Sequence, residues 1–234
     1  MKDSDRDWIS SHPVFNSLPA SDLVVLLQGV IVQDLPADAV LFSQGESPDF
    51  LHVLIDGRVG LIGEGADGKQ VVVEFMEPGE SFILAAALTN APYLMTARTL
   101  HRSRVMLIPA KQLRERVSTD AALASKMLAS LARHYRMLVR QIKDLKLRSA
   151  TERLGCYLLA LAEQRPAGPD ASVTLMLPVE KALLATRLGT TPENLSRAFA
   201  NLRSAGVRTS GATVTIADLA RLRTASFSDP AIPD

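Results

Sequence analysis

Glu193, Asn194, Ser196 and Arg197 fall within five consecutive residues near the C-terminal end and bring together a carboxylate, an amide, a hydroxyl and a guanidinium. These groups can read nucleic-acid base edges. Arginine donates twice to guanine O6 and N7, glutamate accepts from cytosine N4, and serine serves either sense. Helical spacing also permits a Glu193–Arg197 ion pair, worth about 0.3 kcal/mol on an exposed face. With Arg187, Thr190 and Thr191 just upstream, the set is a candidate DNA contact surface. Other chemistry-bearing residues are sparse. Cys156 stands alone, which excludes an internal disulfide and any cluster needing several thiolates from one chain. His12, His52, His101 and His134 are scattered. No Gly-rich phosphate loop, H-E-x-x-H or nucleophile motif suggests an enzyme.

The elements around the polar set can be read from punctuation. Residues 179–189 read as a helix ending on Gly189, followed by Thr191 as N-cap and Pro192 at the first helical position. A second helix runs to about Ala205 and stops at Gly206. Two helices joined by so short a turn cross closely. They need a small residue, a turn glycine and an apolar anchor, which Ala185, Gly189 and Leu195 supply. Residues 173–177 read as a strand, and 207–216, centred on Ser210-Gly211, as a hairpin wing.

Upstream, residues 121–147 contain no Gly or Pro, and Met127, Leu131, Tyr135, Leu138, Ile142 and Leu145 form one stripe. A helix this long can both pack on its own β-domain and form a dimer seam. Ser149 and Glu152 fit a capping box that starts a new helix, with a hinge at 147–149. Between 30 and 109 the texture is different. Short apolar runs at 40–42, 50–55, 59–62, 71–76 and 105–108 alternate with turns containing Gly45, Gly57, Gly68 and Gly79. That pattern predicts a compact β-barrel or β-roll. Residues 14–27 read as an amphipathic helix and 111–117 as a short one.

The chain has 234 residues, 47% hydrophobic and 22% charged, and a net charge of +1. The near-neutral total hides an asymmetry. Residues 1–110 hold 14 Asp/Glu against 7 Lys/Arg, whereas residues 111–234 hold 11 against 19. A basic back half points to a polyanionic partner. No apolar run reaches the roughly 18 residues of a membrane span, and the acidic start is no secretory signal. A cytoplasmic setting without membrane contact is expected.

Taken in order, LFSQGE (41–46), FLHVLIDGRVGL (50–61), DGKQVVVEFMEPGESF (67–82), the long helix and LLATRLGTTPENLSRAFANLRSAG (183–206) resemble the Crp/Fnr family of bacterial regulators. The resemblance implies an α+β fold. A cyclic-nucleotide-binding-like β-roll at 14–117 would precede a dimerisation helix at 118–148, a winged helix-turn-helix at 149–223 and a flexible tail at 224–234. It implies a homodimer on promoter DNA that contacts RNA polymerase. The E-x-x-S-R of Glu193, Ser196 and Arg197 resembles the Fnr-type branch, which reads TTGAT-like half-sites. Pro192 stands where the cyclic-AMP branch carries arginine. The alternative is a sensor or interaction module that does not act through DNA.

The same resemblance bears on the effector. The ribose-holding glutamate of cyclic-nucleotide-binding members aligns with Leu84, and their phosphate-holding Arg-Ser pair with Tyr93-Leu94. Cyclic nucleotide is therefore not expected, and an iron–sulfur cluster lacks its cysteines. Leu84, Tyr93, Leu94 and Met95 form the candidate effector pocket. The segment resembles the nitric-oxide-responsive branch, some members of which bind haem. That makes His12, His52 and His101 candidate haem ligands, with His134 on the long helix a weaker one.

Overall fold

The computed structural model describes residues 3–12, 15, 24, 27–163 and 172–227. Its short apolar runs pair as antiparallel strands, because each turn carries a residue able to reverse the chain. The strands are β1 (Ile31–Leu35), β2 (Val40–Phe42), β3 (Phe50–Asp56), β4 (Val59–Glu64), β5 (Gln70–Met76), β6 (Ser81–Phe82), β7 (Thr96–Thr99) and β8 (Ser103–Pro109). They form two four-stranded sheets, ordered β1-β8-β3-β6 and β2-β7-β4-β5. Gly57 joins β3 to β4 at φ +90°, and a Cβ there would collide with Ser103 and the Arg102 carbonyl. That turn therefore requires glycine. The strands β1, β6 and β7 carry no long apolar run and were not among those expected.

The chain divides into two compact units, Met1–Met137 and Leu138–Asp234. In the first, one apolar cluster gathers Leu51, Val53, Met106 and Ile108 with Leu113, Leu123 and Met127, and a second gathers Phe42, Leu54, Phe82, Tyr93 and Val105. An unexpected helix, α1 (Asp3–Ser11), joins the first cluster through fully buried Ile9, and Phe15 is buried with it. Each such side chain contributes about 1.5–3 kcal/mol. Asp5 fixes this helix by accepting two bonds from the Arg104 guanidinium, at 2.8 and 3.1 Å. The helix expected at 14–27 lies largely outside the described residues. The helix α2 (Leu84–Thr89) begins after Ile83, whose φ of +59° strains a β-branched residue. The short helix expected at 111–117 spans α3 (Ala110–Thr119).

The long helix α4 (Ala121–Leu147) starts on Asp120, whose carboxylate accepts from the N–H groups of Ala122 and Leu123. Its apolar stripe needs correction. Met127 is buried in the first unit's own core with Leu123, and Leu131 packs partly against it. The exposed apolar series instead runs through Leu128, Tyr135, Ile142 and Leu145, with Val139 beside it. Leu128, Tyr135 and Ile142 are seven residues apart, the repeat of a coiled-coil seam.

In the second unit, α5 (Ala150–Glu163) opens with the expected capping box. The Ser149 N–H donates to Glu152 at 2.7 Å, and the Glu152 N–H donates to Ser149 Oγ at 3.3 Å. The strands β9 (Val173–Met176), β10 (Val207–Ser210) and β11 (Thr213–Ile216) form a sheet in the order β10-β11-β9. The chain ends its described part on α8 (Leu219–Ser226). Residues 224–226, expected in a flexible tail, are helical, and Ser226 is fully buried. Of the tail, 228–234 lies outside the described residues.

Candidate nucleic-acid interface and effector region

The helix pair forms as its punctuation requires. The helix α6 (Lys181–Arg187) is followed by Gly189 at φ +60°, and α7 (Pro192–Asn201) starts on Thr191. The Thr191 hydroxyl accepts from the Asn194 N–H at 3.3 Å, and Pro192 occupies the first turn. Leu195, Ala198 and Phe199 are buried, as is Ala185 on α6. The last turn tightens into a 3₁₀ segment, Leu202–Ala205, and ends on Gly206 at φ +85°.

With its apolar side buried, α7 presents Glu193, Asn194, Ser196 and Arg197 exposed on its outer side. Thr191 is exposed beside them, while Thr190 and Arg187 are half-buried in the turn and the preceding helix. Arg197 donates to Asn194 Oδ1 at 3.4 Å. Glu193 accepts from its own backbone N–H and the Thr191 hydroxyl. These bonds, with the charge of Arg197 behind them, hold its carboxyl below the usual range. Ser196 donates to the Pro192 carbonyl at 3.0 Å, leaving its oxygen able to accept. A carboxylate, an amide, a hydroxyl and a guanidinium thus share one exposed helix surface near its N-terminus.

Sequence reasoning missed the residue that ties this surface to its support. Arg153 donates to the carbonyls of Leu188 (2.8 Å), Gly189 (3.3 Å) and Arg148 (2.6 Å). One guanidinium therefore joins the end of the long helix to the helix-turn-helix turn. A Cβ at Gly189 would also collide with the side chain of Leu145 on α4. Arg148 lies over the Phe227 ring at 4.7 Å and donates to Cys156 Sγ at 2.7 Å. Burial pushes that thiol up to about 11. No local sequence signal identifies Arg153, because its partners lie up to 36 residues away.

The candidate effector residues divide. Leu84 is buried in the first apolar cluster and Tyr93 in the second, Met95 is half-buried against the second, and Leu94 is 82% exposed. Tyr93 donates to the Phe50 carbonyl at 3.3 Å, and burial pushes its hydroxyl up to about 12. His52 is buried among Phe42, Phe82 and Tyr93, with ring centroids at 4.9, 5.4 and 6.4 Å. Among the described residues its Nδ1 has no hydrogen-bond partner. Burial lowers its pKa to about 4 against the pull of the Phe50 carbonyl.

His12 lies between Trp8 and Phe15, with Nε2 at 2.8 Å from the Gly79 carbonyl. Burial lowers its pKa as well. His101 is exposed on a turn. On the long helix, His134 Nε2 stands 3.9 Å from the carboxylate of buried Glu74. Nearby Glu80 is exposed and accepts from the Glu77 N–H at 2.9 Å. The three candidate haem ligands do not fit that group. The ring of His52 is enclosed at ring-stacking distance, the Nε2 of His12 is engaged, and His101 is exposed to solvent.

Comparison with known proteins matches this division. Residues 32–120 match the cyclic nucleotide-binding domain, and residues 152–225 match the Crp-like helix-turn-helix domain. A Ruegeria pomeroyi crystal structure, provisionally named a cyclic nucleotide binding protein, is 33% identical over 98% of this chain and 100% of that one, with a TM-score of 0.65. The CRP-like cAMP-activated global transcriptional regulator of Mycobacterium tuberculosis is 23% identical over 89% of this chain and 94% of its own. FixK2 from Bradyrhizobium japonicum shares the fold, with a TM-score of 0.74 at 20% identity over 87% of this chain and 99% of its own. With its β-roll, long helix and winged helix-turn-helix, the chain belongs to the Crp/Fnr family of DNA-binding transcription regulators.

Proposed function

We propose that this regulator binds, as a homodimer, an inverted repeat of TTGAT-like half-sites. Glu193, Ser196 and Arg197 read base edges, while Asn194, Thr191, Thr190 and Arg187 position the helix against the strand. The observation that carries the reading is the exposed polar side of α7, set by the Thr191 cap and the buried Leu195, Ala198 and Phe199. That end of such a helix enters the major groove. The exposed Leu128, Tyr135, Ile142 and Leu145 supply a dimer seam at heptad spacing. Two reading helices on a two-fold axis match an inverted repeat. Contact with RNA polymerase and a cytoplasmic setting go with this role. Among the described residues, no helix is long and apolar enough to cross a membrane.

The β-roll is the regulated part, and its effector is not a cyclic nucleotide. A cyclic phosphate needs a charge-assisted partner, and the segment from Ile83 to Met95 contains no Arg or Lys. Leu84 and Tyr93 are both committed to apolar clusters.

The test is equilibrium binding of the full chain to a TTGAT-N4-ATCAA duplex and to a scrambled one, with particle mass followed by sedimentation. A dimer should prefer the repeat. Arg197→Ala should relax that preference by about 1–3 kcal/mol per half-site, roughly 5- to 150-fold. Equal affinity for the two duplexes, or a preference untouched by Arg197→Ala, would sink the direct-readout reading.

A further inference from the structure

Two adjoining cavities open between α7 and the first wing strand β10. One, of about 200 Å³, is walled by Lys181, Ser196, Phe199, Arg203 and Thr209 among others. The other, of about 400 Å³, is lined by Arg203, Arg208 and Thr209. The two share Arg203 and Thr209, and no carboxylate lines either. Lys181 holds its ammonium over the Phe199 ring at 5.3 Å.

Several arginines of this unit are engaged. Arg148 pairs with Asp144, Arg223 with Glu163, Arg153 holds three carbonyls, and Arg221 donates to the Ser204 carbonyl. Arg203 and Arg208 differ. Both are exposed, and among the described residues neither guanidinium has a hydrogen-bond or ion-pair partner. Two uncompensated guanidiniums on one cavity repel each other, and an anion between them reverses the sign of that interaction. Their planar forks match the oxygens of a phosphate, and the Thr209 hydroxyl can add a donor. The groove is continuous with the base-reading surface through Ser196, so a strand followed by α7 passes its mouth.

We infer that Arg203 and Arg208, with Thr209, form a seat for a backbone phosphate of the bound DNA, outside the bases that α7 reads. This rests on the DNA-binding reading above and adds a separate contact to it. Phosphate contacts position without specifying sequence. The seat therefore supplies affinity on any duplex, and Glu193, Ser196 and Arg197 supply the choice among duplexes.

The experiment measures affinity of the full chain for the TTGAT-type duplex and the scrambled duplex over a range of salt concentrations. For the Arg203→Ala/Arg208→Ala double variant, the slope of log affinity against log salt should become shallower by about 1.8, at about 0.9 for the one phosphate seated in each half-site of the dimer. Affinity at 0.15 M salt should fall on the order of 10- to 30-fold on both duplexes, leaving their ratio unchanged. The Arg203→Lys/Arg208→Lys variant should keep the wild-type slope, which separates charge from folding. An unchanged slope in the alanine double variant overturns the seat, as does a collapsed ratio at wild-type slope. If the wild-type chain binds neither duplex, the DNA reading itself fails.

Discussion

On α7, Glu193, Ser196 and Arg197 stand exposed, and their bonds among the described residues are to residues within four positions of themselves. In the first unit, Asp5, His12, His52 and Glu74 are all buried. Asp5 is committed to Arg104, His12 faces the Gly79 carbonyl, and His52 sits in an aromatic cage with one nitrogen unpartnered among the described residues. The same kinds of side chain do opposite work. An exposed group gives up only water when a partner arrives, so its hydrogen-bonding capacity is available at little cost. A buried group has already lost that water, so removing its partner leaves a polar atom uncompensated and costs stability. The exposed side of α7 can therefore be altered without unfolding it, whereas changes among the buried groups register first as stability.

The sharpest break in this comparison comes from acid. A histidine whose folded pKa lies below its unfolded value of about 6.5 stays neutral in the native state, while the unfolded chain takes up a proton. Stability is then full above pH 6.5 and declines as pH falls through that value, until the native His52 protonates at about 4. Integrated over that window, the loss from His52 is on the order of 3 kcal/mol. His12 acts in the same direction. In urea unfolding at pH 7 and pH 4.5, His52→Phe should flatten most of this decline and keep the ring contacts of the cage. Wild-type stability that is level across the window would contradict the assignment.

A smaller effect is expected where the support of α7 depends on the half-buried Arg153. Arg153→Ala leaves three carbonyls without their donor, and bonds to a charged donor contribute about 1.5–3 kcal/mol. The variant should be destabilised by about 2 kcal/mol and should bind the repeat more weakly. Arg153→Lys should recover only part, since an ammonium lacks the fork that spans separate acceptors. Unaltered unfolding midpoints would place the support of α7 elsewhere.

How much of this was legible in the sequence follows from the range of the interactions. Capping and turn signals act within four residues. Ser149 with Glu152, Thr191 with Pro192 and the turn glycines therefore marked their elements directly. The strands β1 and β7 were hidden because IVQDL and TART are held by ladder partners rather than by their own apolar runs. The helix α1 was hidden because its anchors are the adjacent Trp8 and Ile9, with Asp5 reaching Arg104 across 99 residues. The long helix was visible as a helix, but periodicity could not tell which of Met127 and Leu128 faces the chain's own core. The cage around His52 draws on residues 42, 82 and 93, and no spacing rule connects them.

The smallest effect tests whether the polar surface of α7 is as independent of the fold as its exposure suggests. Thr191 belongs to both sides of the comparison. Its hydroxyl accepts from the Asn194 N–H as a helix cap and donates to the Glu193 carboxylate. Thr191→Ala removes both and should cost about 1 kcal/mol of stability, the usual value of a cap. Thr191→Ser keeps an oxygen at the same position and should cost almost nothing. The second function has its own signature. Without the hydroxyl, the Glu193 carboxyl should titrate higher, toward its ordinary range, as followed by carbon NMR of the side chain. If Thr191→Ala weakens binding to the repeat while leaving both stability and the Glu193 titration unchanged, the hydroxyl acts on DNA and not on the helix. If both shift together and Thr191→Ser restores both, the reading surface is set by the same bond that starts the helix beneath it.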